Sequence, residues 1–230
     1  MTARRLSRRD GIALVAIGVG AAGLGGWLRR GTPLGEEVSD AIDVSALLHA
    51  PGFPAEGPRD GAVRMLVFSD YACGVCRQVE PWWRAAVREA GDVRVVHRDW
   101  PILGPASLRA ARVALAADRQ GVYATVHKRL MRTGRHDDAD LRAAVTDAGG
   151  TWARIESDLA TFDGAITRLI ARTAQDALQL GFRGTPGFLI GPVRIEGGAS
   201  QRQFAQAIER AREVGLMVRS TALSHEPGSR

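Results

Sequence analysis

The chain has 230 residues, of which 45% are hydrophobic and 24% charged, a composition typical of a globular protein with ample apolar material for a core. The net charge of +6 comes mainly from the first 30 residues, where six arginines stand against one aspartate. The rest of the chain is therefore nearly neutral, which excludes a basic nucleic-acid-binding domain, and we expect no nucleic-acid partner.

Residues 1–37 are predicted to form an export signal or membrane anchor, followed by a linker. Arg8 and Arg9 precede an apolar run at residues 12–28, and a charged start before an apolar core is typical of export signals. The paired arginines after Ser7 resemble a twin-arginine signal. The run is also just long enough to anchor the chain in a membrane. Because more arginines precede the run than follow it, we expect the main domain outside the cytoplasm, in the periplasm or cell envelope.

The first part of the main domain is predicted to contain a short helix, a loop and a central strand. Ser39 is expected to cap a helix through Leu48, and the Pro/Gly-rich residues 51–60 predict a loop. Val63–Ser69 is mostly apolar and is predicted to be a buried strand.

A helix and a second strand follow. Gln78–Ala90 has a helical pattern and contains Pro81, which should kink it because proline lacks the N–H donor. Trp82 and Trp83 on this helix are expected to pack into the protein core. Val93–Asp99 is the second predicted strand.

Helical patterns then dominate, before the strands return. Five helices are predicted: Ser107 to Asp118 with Ser107 as cap, Val122–Met131, one capped by Asp137 or Asp138, Trp152–Leu159, and one capped by Asp163 that ends before Gly181. Gly191 and Pro192 separate two short apolar runs and predict a hairpin. Ser200 is expected to cap a last helix through Val214, and the polar residues that follow predict a frayed tail.

The only two cysteines, Cys73 and Cys76, are separated by two residues and lie where the first strand gives way to a helix. Free N–H groups and the dipole at a helix start favour negative charge, so a thiol there ionises easily, and the thiolate is the reactive form. We therefore favour a reversible dithiol–disulfide pair. An inert structural pair and a metal site are the alternatives, but zinc would need about two further ligands, and the five histidines are scattered.

A set of ordered motifs resembles the DsbA-like branch of the thioredoxin superfamily. The motifs are Phe68 to Cys76, the helix proline Pro81, Trp100 to Leu103, the long helical stretch, and Gly184 to Ile190, which contains Gly-Thr-Pro. The resemblance covers about residues 60–214. It implies an α/β protein with a thioredoxin fold that carries an inserted α-helical domain.

The resemblance also implies a domain organisation. After the leader, residues 38–103 would form the first part of the thioredoxin fold and residues 104–180 the inserted helical domain. Residues 181–216 would complete the thioredoxin fold, and residues 217–230 would be a flexible tail.

Roles for four residues follow from the same resemblance. Cys73 would be the more exposed, nucleophilic cysteine that forms the mixed disulfide, and Cys76 would be the resolving thiol. Pro186 would be cis and lie beside the cysteine pair. The backbone of Thr185 would pair with an extended segment of the substrate, a form of strand addition.

Several nearby residues are expected to support the cysteines. Gly74 and Val75 would tune the pKa of the first thiol, and no histidine stands between the cysteines to add positive charge, unlike in the Cys-Pro-His-Cys motif of the family's type member. Asp70 could assist proton transfer, although capping of the loop is favoured because aspartate is common there. For His97, a structural role in the strand is favoured over a catalytic one.

The predicted function is that of an exported thiol–disulfide oxidoreductase. It would exchange its Cys73–Cys76 disulfide with cysteine-containing exported proteins, and the direction we favour is that of a disulfide donor. A membrane-bound thiol oxidase or reductase would reset it. The alternatives are a disulfide reductase or isomerase, and a non-catalytic thioredoxin scaffold that binds a metal or an unfolded chain. We expect no cofactor and no bound metal.

Overall fold

The computed structural model describes residues 35–38, 42–134 and 136–224, with side chains up to residue 215. Its strands are β1 Glu36–Glu37, β2 Ala55–Glu56, β3 Val63–Ser69, β4 Val93–Asp99, β5 Gly187–Ile190 and β6 Val193–Glu196. Its helices are α1 Val44–Leu48, α2 Gly74–Ala90, α3 Pro105–Asp118, α4 Tyr123–Thr133, α5 Asp138–Asp147, α6 Trp152–Thr161, α7 Asp163–Gln179 and α8 Gln201–Ser224.

The strands form a single mixed sheet in the order β1-β6-β5-β3-β4-β2. β3 and β4 are parallel, and the other neighbouring strands are antiparallel. The register of the parallel pair sets Ser69 opposite Asp99, so the two central strands end side by side. The loops that follow these residues therefore leave the sheet at the same edge, and one of them carries the cysteines.

Side chains of β3 point alternately to the two faces of the sheet, as the pleat of a strand requires. Met65 and Val67 pack with α2 and α8 on one face. Leu66 and Phe68 pack with α1 and the end of α7 on the other. Helices cover both faces of this strand, which explains why its central residues 65–68 are all apolar instead of alternating with polar ones.

The five helices α3 to α7 lie between β4 and β5 in the chain, as expected for an inserted helical domain. Their core is made of small and branched side chains such as Ala114, Leu130 and Ile155. Tyr71 and Cys76 belong to the same cluster. The loop that carries the cysteines therefore packs against the helical domain as well as against the sheet.

Several predicted elements are confirmed. The strands Val63–Ser69 and Val93–Asp99 have the predicted bounds, and Asp137 caps α5 through the N–H of Asp140 at 2.9 Å. β5 and β6 form the predicted antiparallel hairpin around Gly191.

Other predicted helix starts are wrong. The cysteine helix begins at Gly74 rather than Gln78, because the sulfur of Cys73 caps it. The helix that Ser107 was expected to cap begins two residues earlier at Pro105, where a missing N–H costs no hydrogen bond. Asp163 lies inside the first turn of α7 and does not cap it.

The predictions for Trp82 and for the last helix also need correction. Trp83 is buried with 2% of its surface exposed, whereas Trp82 is 40% exposed and does not face the core. Consecutive helical residues point about 100° apart, so both indoles cannot face the same core. The last helix runs past the expected end at Val214 to Ser224, so residues 217–224, assigned to the tail, are helical.

The predictions for Ser39 and for the apolar run at residues 12–28 lie outside the described residues. Asp43 caps α1 instead, through the N–H of Ala46 at 2.8 Å. In the described ranges, no helix has both the length and the apolar character needed to span a membrane.

The charged side chain of Arg98 is fully buried in the part of the chain that the structure describes. Its guanidinium donates to Asp176 Oδ2 at 3.0 Å and to the Leu47 carbonyl at 2.9 Å, and it lies 3.5 Å above the ring of Phe53. These contacts join β4 to α7, α1 and the loop before β2. A buried charge is tolerated only when such partners replace its water.

We predict that Arg98→Met will destabilise the protein by about 3 kcal/mol, because the buried Asp176 carboxylate then keeps only the exposed Arg172, 3.9 Å away, as a partner. Urea unfolding of the single variant, compared with Arg98→Met combined with Asp176→Leu, measures this. The double variant should recover most of the loss, since no buried charge is then left unpaired and Arg172, which loses Asp176, is exposed to water. A single variant as stable as the unsubstituted protein would contradict the prediction.

Candidate active site

Cys73 is the N-cap residue of α2. Its backbone is extended, with φ −74° and ψ 116°, and its Sγ accepts a hydrogen bond from the N–H of Cys76 at 3.2 Å. The two cysteines are not joined by a disulfide and are largely buried, with 6% of Cys73 and 3% of Cys76 exposed. The reactive sulfur of the first cysteine thus replaces the side-chain oxygen that usually caps a helix.

The two thiols have opposite acidities. The pKa of Cys73 is lowered to about 6, chiefly because the Cys76 thiol donates a hydrogen bond to it, with help from the N–H groups of Cys76 and Val75 against the effect of burial. The pKa of Cys76 is raised well above its usual range by that same hydrogen bond and by burial. Near neutral pH, Cys73 is therefore mainly a thiolate and Cys76 a thiol.

Thr185 and Pro186 lie directly beside this pair. The peptide bond between them is cis, as the resemblance implied, and the Thr185 carbonyl oxygen is 3.4 Å from Cys73 Sγ. Both residues line a shallow cleft of about 370 Å³. In the part of the chain that the structure describes, the Thr185 N–H has no hydrogen-bond partner, so this backbone is available to an added strand.

The Asp70 carboxylate is buried and ties three segments together. Its Oδ1 accepts from the N–H of Ala72 at 2.8 Å and from the hydroxyl of Ser107, and its Oδ2 accepts from the N–H groups of Ile102 and Leu103 at 2.8 and 2.9 Å. Each carboxylate oxygen accepts two hydrogen bonds, so Asp70 caps the loop, which is the role favoured from the sequence. It positions the cysteine loop against the loop after β4 and against α3.

Gly74 and Val75, the residues between the cysteines, are both exposed. The side chain of Val75 is 45% exposed, and those of Ile102 and Leu103 are 44% and 54% exposed. Because the last two are held by Asp70, three residues before Cys73, an apolar surface lies close to the reactive sulfur.

A buried polar cluster beneath α2 was not predicted. Glu56 Oε1 accepts from Arg84 Nη1 at 2.7 Å and contacts His97 Nε2 at 2.8 Å, and Arg84 Nε also donates to Glu80 at 2.6 Å. These partners hold the pKa of Glu56 well below its usual range against burial. His97, which is buried, has its pKa lowered to about 4 by desolvation and then by the charge of His127.

The cluster continues into the helical domain. The Tyr71 hydroxyl is 2.9 Å from His127 Nδ1, and the Tyr123 hydroxyl donates to Asp99 at 3.0 Å. Burial raises the pKa of Asp99 to about 6. The spacing of Tyr123 and His127, four residues apart, was the available signal, since such pairs lie on one face of a helix.

His97 therefore has partners within the protein, as expected for a structural histidine. In the described residues, no group of histidine, cysteine, aspartate and glutamate side chains is arranged to hold a metal ion.

A thioredoxin-like mixed sheet, a dithiol at a helix start and a cis-proline beside it together define the thioredoxin-fold class of thiol–disulfide oxidoreductases. The DSBA-like thioredoxin domain family matches residues 64–209, which is more than half of the chain. The chain belongs to that family.

Solved structures agree with this assignment. A thioredoxin-like oxidoreductase from Silicibacter pomeroyi DSS-3 is 33% identical, with a TM-score of 0.70 over 75% of this chain and 99% of that one. A periplasmic thioredoxin-like protein from Salmonella enterica serovar Typhimurium is 26% identical, with a TM-score of 0.66 over 77% and 99%. The thiol-disulfide exchange protein alpha-DsbA2 from Wolbachia pipientis, 23% identical with a TM-score of 0.68 over 72% and 90%, shares the fold.

The curated relatives are much longer proteins. A Na(+)/H(+) antiporter NhaA 3 from Salinispora tropica is 33% identical over 69% of this chain, and NhaA 1 from Salinispora arenicola is 28% identical over 67%. The matched segments make up 26% and 24% of those proteins. The chain thus spans about a quarter of the length of the curated relatives it matches.

We predict that iodoacetamide will alkylate Cys73 with a pH midpoint near 6, because only the thiolate reacts. In Cys76→Ala the midpoint should rise, since the thiol that donates to Cys73 is lost while the backbone N–H remains. Rates measured by mass spectrometry from pH 4 to 10 provide the test.

Gln78→Ala, an exposed change on the same helix, serves as the control and should keep the midpoint of the unsubstituted protein. An unchanged midpoint in Cys76→Ala would show that the second thiol does not acidify the first.

Proposed function

We propose that this protein is an exported thiol–disulfide oxidoreductase that donates its Cys73–Cys76 disulfide to cysteines of other exported proteins. The observation that carries the proposal is the lowered pKa of Cys73, about 6, at a helix start beside the Thr185 backbone. A stabilised thiolate favours the reduced protein, and a disulfide whose reduced form is stabilised tends to oxidise its partners.

The reaction needs two exchanges. A substrate thiolate attacks Sγ of Cys73, the Cys73–Cys76 bond breaks, and the sulfur of Cys76 leaves and takes up a proton. A second substrate thiolate then attacks the substrate sulfur of the mixed disulfide and releases Cys73 as a thiolate. The substrate loses two electrons and the protein gains them, and the low pKa of Cys73 makes it the better leaving group in this second step.

The neighbouring residues take supporting roles in the proposal. Thr185 offers its N–H and carbonyl to an extended substrate segment, and Pro186 forms the wall beside the sulfur. Gly74 and Val75 leave the approach to Cys73 open, because both lie at the surface. Asp70 holds the loop that carries Cys73 in place and takes no part in the exchange itself.

Location and partners belong to the same proposal. The arginine-rich leader with its apolar run at residues 12–28 supports export to the periplasm or cell envelope, either cleaved or anchored. A membrane-bound thiol oxidase would accept the two electrons and restore the disulfide. Ion antiport is not proposed, because the matched segments are about a quarter of the antiporters.

A reductase or isomerase is the second candidate, and one observation favours it. No histidine lies between Cys73 and Cys76 to stabilise the thiolate further. The pKa of about 6 lies between the values of about 7 in thioredoxin and about 3.5 in DsbA.

We therefore predict a reduction potential between about −270 mV and about −120 mV, the values of thioredoxin and DsbA. Equilibration with glutathione buffers, followed by alkylation and mass spectrometry, measures it. A value more negative than that of thioredoxin would contradict the donor direction and favour the reductase.

A matched activity test uses oxidised protein and a dithiol peptide. The unsubstituted protein should oxidise the peptide, Cys73→Ser should reduce the rate to background, and Cys76→Ser should accumulate a mixed disulfide on Cys73 when offered a peptide disulfide. If Cys73→Ser changes neither peptide oxidation nor insulin reduction, the protein is a non-catalytic scaffold.

A further inference from the structure

A cavity of about 700 Å³ lies between α2 and α4 and borders Gly74, the residue after Cys73. Its charged lining consists of four cations, Arg77, Arg84, Lys128 and Arg132, and one carboxylate, Glu80. We call this cavity the basic pocket; it is distinct from the cleft beside Thr185, and the two share no lining residue.

The single carboxylate does not neutralise the basic pocket. Glu80 is already bonded to Arg84 at 2.6 Å. Lys128 lies 3.8 Å from Glu56 and is half-exposed. In the described ranges, Arg77 and Arg132 have no carboxylate partner, so neither guanidinium group is paired with an anion of the protein.

The position of Arg77 is fixed by its surroundings. Its Nη1 donates to the Tyr71 carbonyl at 3.0 Å, two residues before Cys73. The guanidinium also lies against Gly134, where an added Cβ would be only 2.9 Å from its central carbon. An arginine held in this way presents its remaining N–H groups as an ordered fork, the geometry that matches a carboxylate.

A concave surface lined by cations concentrates their field and attracts anions. The volume is that of a site for a small molecule or a short peptide segment. Gly74 lines the pocket and follows Cys73 directly in the chain, so a group held at that end of the pocket lies near the first cysteine.

We propose that the basic pocket binds carboxylate groups of the substrate that exchanges disulfides at Cys73. This inference rests on the proposed function and names its substrate class: thiols and disulfides with acidic groups close to the reacting sulfur. The carboxylates can belong to aspartate and glutamate side chains of a polypeptide or to a small peptide thiol such as glutathione.

The test uses the oxidised protein and three dithiol peptides of equal length, flanked by glutamates, by glutamines or by lysines. The glutamate peptide should react about tenfold faster than the lysine peptide at low ionic strength, and the difference should shrink as salt screens the charges. Rates are measured by acid quench and chromatography.

Arg132→Gln is the informative variant, because Arg132 is exposed and has no partner whose loss would unfold the protein in the described region. It should slow the glutamate peptide by about threefold to fivefold, the upper range for one exposed ion pair, and leave the glutamine peptide unchanged. Arg88→Gln makes the same charge change on α2, outside the pocket, and should alter neither rate.

Reduced glutathione is the second arm. An effect of Arg132→Gln on the glutamate peptide assigns the pocket to polypeptide substrates, and an effect on glutathione alone assigns it to a small thiol. Equal rates for the three peptides, or an effect of Arg132→Gln no larger than that of Arg88→Gln on either substrate, would overturn the proposal. If no peptide is oxidised at all, the proposed function itself fails.

Discussion

The arrangement of the site depends on one buried anion, the carboxylate of Asp70. It is nearly inaccessible to water, and four hydrogen-bond donors from three segments replace its hydration. Because those donors lie on the cysteine loop, the loop after β4 and α3, none of the three can move without leaving a buried charge unpaired. The parallel register of β3 and β4 makes the arrangement possible by ending both strands at one edge.

Within the loop that Asp70 holds, hydrogen bonds in the first turn of α2 give the two cysteine thiols different pKa values. Cys73 receives hydrogen bonds as the cap of α2, whereas Cys76 supplies one and is more deeply buried. The asymmetry arises from the hydrogen bonds of the first turn, from the neighbouring Thr185 and from unequal burial, and it needs no charged residue between the cysteines. Two surfaces lie near this pair: the backbone of Thr185, whose carbonyl oxygen is 3.4 Å from Cys73 Sγ, and the basic pocket, which Gly74 lines.

Much of this architecture could be predicted from the sequence, because it is local. The two central strands are continuous apolar runs, and the cysteine pair and Thr-Pro dipeptide are short motifs. The predictions that failed concern features that depend on partners far away in the sequence. Ser107 has the sequence of a cap but donates to Asp70, 37 residues away. β2 has only two residues and exists because β4 pairs with it.

The buried polar cluster was missed for the same reason. Glu56 is an ordinary loop glutamate in the sequence, and only the fold brings it to Arg84 and His97, 28 and 41 residues further on. Charged residues normally predict a surface, so a cluster that is buried through mutual pairing leaves little trace in a hydrophobic pattern.

The contact between Cys73 and Thr185 spans 112 residues. A chain made from its N-terminus therefore presents both cysteines long before the segment that completes their surroundings has been synthesised. Until β5 joins β3, the pair lacks the Thr185 and Pro186 segment that lies beside it in the folded protein. A partly synthesised chain therefore carries both thiols before the cis-proline segment that completes their surroundings exists.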